Sequence, residues 1–276
     1  MSVPRLSGAV SALAAAALLV AGCSSAETSS AATAPSGALT APSVTLAPAL
    51  DHVHGLAVDA AGTVLAGTHS GLLAVDPSGA TRKVGASDDD LMGLAGVPGT
   101  DTLVTSGHPG RSSSAPNPLG LRRSDDGGQT WSDRSLLGEV DFHALATDGT
   151  MVVGFDGTEG IRISTDGGTT WSAGARVAAA SLAVTPAGIW AITPAGLERS
   201  TDLARTFTPI TDAPALLMLA GTGDGLWGVD ADGYAWRSRD GATWEQRVYV
   251  GQVETLTATG FETAYAATDE ALYTLT

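Results

Sequence analysis

The chain has 276 residues and a formal net charge of −15, with 14 Lys and Arg scattered along it. Phosphate recognition needs clustered cations, so nucleic acid is excluded as a natural partner and any ligand is biased towards cations or neutral molecules. The single cysteine, Cys23, excludes a disulfide within the chain, so an exported domain would have to rely on its apolar core.

Residues 1–22 carry one early cation, Arg5, and then an Ala- and Leu-rich run from Ala9 to Val20 that is too short for a comfortable membrane span. The next stretch, Leu19-Val20-Ala21-Gly22-Cys23, resembles a bacterial lipobox, in which the cysteine is acylated and becomes the mature N-terminus. That resemblance implies a lipoprotein signal peptide in residues 1–22, lipidation of Cys23, and anchorage at the outer face of the bacterial cytoplasmic membrane. Residues 23–42 are mostly Ala, Ser, Thr and Pro with one acid, Glu27. Such a segment cannot bury enough apolar surface to fold, and it is expected to be a flexible tether. Residues 43–276 show no apolar helical periodicity of useful length and no internal linker, which predicts one all-β domain.

Within that domain one turn pattern recurs. Ser164-Thr165-Asp166-Gly167-Gly168-Thr169-Thr170-Trp171 is matched by Ser124-Asp125-Asp126-Gly127-Gly128-Gln129-Thr130-Trp131. A decayed copy runs from Ser200 through Asp202 to Phe207, and a copy one residue shorter from Ser238 through Asp240 to Trp244. The aspartate can accept hydrogen bonds from the N–H groups that follow, the glycines permit positive φ, and the aromatic residue opens the next strand. Starting serines at 124, 164, 200 and 238 give periods of 40, 36 and 38 residues, the signature of a repeat architecture. The pattern S-x-D-x-G-x-T-W resembles the Asp-box, or BNR, repeat of β-propellers. The resemblance implies hairpins between the outer strands of a blade, on the side away from the ligand, so Asp126, Asp166, Asp202 and Asp240 are read as structural.

Dividing residues 43–276 by this period gives about six blades. Inner strands are predicted at His54-Gly55-Leu56-Ala57, Met92-Gly93-Leu94-Ala95, His143-Ala144-Leu145-Ala146, Ala180-Ser181-Leu182-Ala183, Leu217-Met218-Leu219-Ala220 and Glu254-Thr255-Leu256-Thr257. Each is followed by a turn and a second apolar strand. The last blade ends after three strands, and Ser43-Val44-Thr45-Leu46 alternates as a half-buried strand should. This predicts a six-bladed β-propeller closed by an N-terminal strand. A seven-bladed ring would need blades shorter than the observed spacing allows.

All five histidines, His52, His54, His69, His108 and His143, fall in the first three blades. His54 and His143 share a column at the start of the inner strand with Met92 and Glu254. His69 and His108 share the loop after the second strand with Asp156 and Asp269. Both loops emerge on one face, so the histidines are expected to crowd one side of the channel mouth. Asp51 and Asp141, each just before a histidine-bearing strand, could orient the imidazoles or ligate directly. A proline-rich loop at 107–120 is expected on the same face as a lid or binding element, with Arg111 in it.

The wider context of these histidines, from Asp51-His52-Val53-His54 to Asp141-Phe142-His143, resembles a group of bacterial exported propellers labelled glycosyl hydrolase-like or exo-sialidase-like. Three readings follow. The first is a transition-metal site, zinc or copper, formed by His52, His54, His69, His108 and His143, with Met92 as a thioether ligand for copper. The second is a glycoside hydrolase with Asp51, Asp141, Asp156 or Glu254 as the working carboxylates. The inner-strand column lacks the arginines that sialidases use to hold a substrate carboxylate. The third is a monomeric module that binds a protein or glycan partner through the propeller face. No organic cofactor is indicated.

Overall fold

The computed structural model describes residues 34–276. The proposed signal peptide and Cys23 lie outside the described residues. The described residues form no helix; six antiparallel four-stranded sheets stand in a ring. The inner strands are Val53–Val58, Asp90–Gly96, Ala144–Thr147, Ser181–Thr185, Leu216–Thr222 and Thr255–Gly260. Each sheet is ordered inner, second, third and outer strand; in blades one to five these four are consecutive in the chain and pair through turns, and the open edges shrink to the outer rim.

Ring closure follows the sequence prediction. Ser43–Thr45 pairs antiparallel with the third strand of blade six, with Ser43 opposite Tyr273 and Thr45 opposite Ala271. Leu46 continues this contact, donating its N–H to the Glu270 carbonyl (2.8 Å) and burying its side chain. The packed contacts begin earlier than Ser43. Tyr249 N–H donates to the Leu39 carbonyl (2.7 Å) and Ala41 N–H to the Tyr249 carbonyl (2.9 Å), so residues 39–41 add to the outer strand of blade five. The end of the expected tether is therefore part of the seam between blades five and six.

Each of the six seams holds its own apolar cluster. Trp227, fully buried, donates its indole N–H from blade five to the Gly260 carbonyl of blade six (3.0 Å). Trp190 is buried in the same way between blades four and five.

The repeated turns share one hydrogen-bond scheme. Ser164 Oγ donates to Asp166 Oδ1 (2.7 Å) and accepts from Gly168 N–H (2.9 Å). Asp166 in turn accepts from Thr170 N–H (2.8 Å) and the Thr170 hydroxyl (2.6 Å). A β-carbon at Gly168 would run into Leu121 of the preceding blade, so the turn also docks one blade on the next. In the decayed copy the positive φ values fall on Leu203 (62°) and Ala204 (56°). The Ser200, Asp202 and Thr206 bonds persist there and hold a conformation that costs each L-residue about 1 kcal/mol or more.

Candidate metal centre at the channel mouth

Inner-strand residues pave a central channel. Leu56, Leu94, Leu145, Leu182, Leu219 and Leu256, one from each blade, line both an upper and a lower chamber where the two meet. The upper chamber, about 210 Å³, has His54, His143 and Glu254 on its polar side and Leu217 and Met218 on its apolar side. Its apolar leucine ring forms a floor beneath the histidines.

The five histidines divide into two groups. His52, His54 and His69 pack ring to ring, with centroids 4.7 Å apart for His52 and His54, 4.7 Å for His54 and His69, and 5.1 Å for His52 and His69. One ring nitrogen from each lies within 4.8 Å of the others, so the triad can close on one ion with little movement. The local chain explains the convergence. A bulge between Val53 and Gly55 takes His54 out of the ladder, and His52 adopts φ 50°, a left-handed conformation rare for a residue with a β-carbon. His69 is brought in by its N–H, which donates to the Asp51 carbonyl (3.3 Å).

His108 and His143 form the second group, around Asp141. His143 Nε2 lies 2.9 Å and His108 Nε2 3.2 Å from Asp141 Oδ2, while His108 Nδ1 lies 2.7 Å from Asn117 Oδ1. Asn117 belongs to the 107–120 loop, which is fixed to blade two by Gly110 N–H donating to Asp89 Oδ1 (2.9 Å). Asp89 is itself buried in an ion pair with Arg122 (2.6 Å). The loop is thus a wall beside His108, and Arg111 stands exposed on it.

Electrostatics favour neutral imidazole at the centre. Burial, and then the neighbouring His52 and His69, hold the His54 pKa below its ordinary value, against an opposing pull from Asp90. His54 Nε2 and Asp90 Oδ1 are both buried without a hydrogen-bond partner and face each other across 3.9 Å. Two orphaned polar atoms flanking one gap are what a bound cation or water would satisfy. On the other side, burial and the nearby charge of Asp269 push the Glu254 carboxyl up. Glu254 Oε2 stands 3.7 Å from His52 Nδ1.

Other sequence candidates lie elsewhere. Asp156 accepts from Thr158 N–H (2.9 Å) and Glu159 N–H (3.2 Å) within its own turn and faces Arg162, so it caps a loop instead of joining the histidines. Asp51 contributes its carbonyl, with its carboxylate unpaired among the described residues. The thioether on the chamber wall is Met218; Met92 sits in a bulge between Asp90 and Gly93 and is not part of that wall. Asp90 was not evident from sequence, because the same bulge determines where it points.

The sequence matches no described protein family and no curated protein. Its fold is similar to solved propellers. One is the GH74 xyloglucanase of Xanthomonas campestris, at TM-score 0.53 and 18% identity over 82% of this chain and 43% of that one. Another is the GH74 enzyme of Niastella koreensis, at TM-score 0.54 and 13% identity over 86% and 53%. A chain of a nidogen/laminin complex aligns at TM-score 0.55 and 12% identity over 74% and 84%. This chain spans about half the length of the two enzymes or less. At these identities the likeness is one of fold. The protein is a six-bladed β-propeller with its histidines gathered at one end of the channel.

Proposed function

We propose that this chain is an Asp-box propeller lipoprotein, exported and anchored through Cys23, that binds a transition metal at the His52, His54 and His69 triad. The observation that carries the reading is the triad itself, three imidazoles with ring nitrogens within 4.8 Å of one another at the rim of an open chamber. Imidazole suits zinc and copper, and three histidines with a free fourth position is a ligand set that zinc uses when it must also meet an exogenous ligand. The lowered pKa of His54 supports it, because a ligand must be neutral to bind.

The hydrolase reading has less support. Asp141 is engaged by two histidines and Asp156 by its own turn.

Elemental analysis of the purified exported domain, with thermal unfolding in added Zn²⁺, Cu²⁺ and Cu⁺, tests the proposal. Copurified metal, or a midpoint that rises with metal concentration and stops rising in His54→Ala with His69→Ala, is the expected result. A wild-type midpoint indifferent to all three ions, with no metal found, would overturn it.

A further inference from the structure

We infer that the mouth holds two cations, and that the second sits on His52, Glu254 and Asp269 at the seam between blades six and one. This inference rests on the metal reading of the histidine triad. Ligand atoms of these three residues also lie within 4.8 Å of one another. Glu254 immediately precedes the inner strand of blade six, Thr255–Gly260, and Asp269 follows its second strand, Thr263–Ala267. Blade one presents His52 and His54 at the start of its own inner strand and His69 after its second strand, Val64–Thr68. Blade six therefore offers carboxylates from the loop positions where blade one offers imidazoles.

The second set has its own anchor on blade one. Asp269 Oδ1 accepts from Val53 N–H (3.0 Å), which locks the carboxylate to blade one. His52 Nδ1 and Glu254 Oε2, 3.7 Å apart, are too far for a hydrogen bond. That spacing does suit neighbouring vertices around an ion with bonds of about 2.0–2.2 Å, which stand roughly 3.5 Å apart in a tetrahedron. His52 is common to both sets, and ligating both ions through its two ring nitrogens would make it a bridging imidazolate, with the N–H proton released to water as the second ion binds.

The ligand chemistry distinguishes the ions. Three imidazoles select zinc or copper, whereas one imidazole and two carboxylates form a harder set that accepts Mn²⁺ as well as Zn²⁺. The second site is therefore a divalent-cation site tolerant of manganese, with an ion beside the one in the triad.

Counting ions on the wild-type exported domain and two variants, with Glu254→Asp as a control, tests the inference. Elemental analysis after equilibration with Zn²⁺ should give two ions per chain in the wild type and one in Glu254→Gln. Mn²⁺, followed by electron paramagnetic resonance, should bind the wild type and the His54→Ala/His69→Ala variant but not Glu254→Gln. Thermal midpoints in metal-free buffer check that each variant is folded, and Glu254→Asp, which keeps the carboxylate, should recover part of the Mn²⁺ binding if the loss is one of ligation. One Zn²⁺ in both wild type and Glu254→Gln, lost with His54 and His69, would overturn the second site and leave the triad reading intact. No ion in any of the three would overturn both.

Discussion

Removing the N-terminal closing segment should unfold much of what deletion of the tether before it leaves untouched. A domain beginning at residue 47 lacks the Ser43–Thr45 strand, the Leu46 side chain and the residues 39–41 paired with blade five. Burying Leu46 is worth about 2–3 kcal/mol. The bonds from Thr274 N–H to the Pro42 carbonyl (2.9 Å) and from Leu46 N–H to the Glu270 carbonyl (2.8 Å), with the strand ladder, contribute about 1 kcal/mol each. The loss reaches about 5 kcal/mol, comparable to the whole stability of a marginal domain. For a domain of this size 1 kcal/mol corresponds to about 2–4 °C, so the midpoint should fall by about 10–20 °C or the domain should fail to fold. A domain beginning at Leu39 keeps every one of these contacts and should melt with the full chain. Thermal unfolding followed by circular dichroism decides between them. Equal midpoints for the two truncations would refute the argument that this segment closes the ring.

The Asp202 turn should make stability depend on acidity. The Thr206 hydroxyl and N–H, with Ser200, push the Asp202 carboxyl down to about 2, against about 3.9 in an unfolded chain, so its contribution is complete above about pH 4 and is lost as pH falls through 2. Urea midpoints between pH 5 and 2 should fall less steeply in Asp202→Asn than in the wild type, and identical slopes would count against the assignment. Trp227→Ala should cost about 4–5 kcal/mol and Trp171→Ala about 3, because the first is fully buried and bridges two blades while the second is half-buried against Phe142. Chemical denaturation giving the reverse order would show that the repeated turns carry more of the core than the inner seams. Metal-induced stabilisation should survive both changes in the molecules that fold.

The blade pattern was legible because it is local. Each inner strand carries a small or apolar triplet such as Gly55-Leu56-Ala57, and the recurring turns fix the period. The closing strand could be read from one alternating stretch opposite an unfinished blade. Residues 39–41 could not, since Ala, Thr and Leu in a proline-bounded stretch look like tether until Tyr249 supplies the partners. Leu203 and Ala204 carry no sequence mark of a left-handed turn; the surrounding Ser, Asp and Thr bonds impose it.

At the mouth, column alignment brought His52, His54 and His69 onto the same face and named Glu254. It did not predict that the five histidines split into three and two, or that Asp90 faces His54. Those outcomes depend on bulges at Val53–Gly55 and Asp90–Gly93, which move side chains by one position and leave no clear sequence signature. Asp156 failed for a related reason. It occupies the same column as Asp269, but Thr158 and Glu159 offer it a turn to cap.

The most direct test of the proposed metal centre is X-ray absorption on the propeller domain loaded with one equivalent of Zn²⁺. The triad predicts about three imidazole nitrogens at roughly 2.0–2.1 Å with multiple-scattering features from the rings, and loss of that signature in His54→Ala with His69→Ala. A zinc shell of oxygen alone, unchanged in the variant, would contradict it.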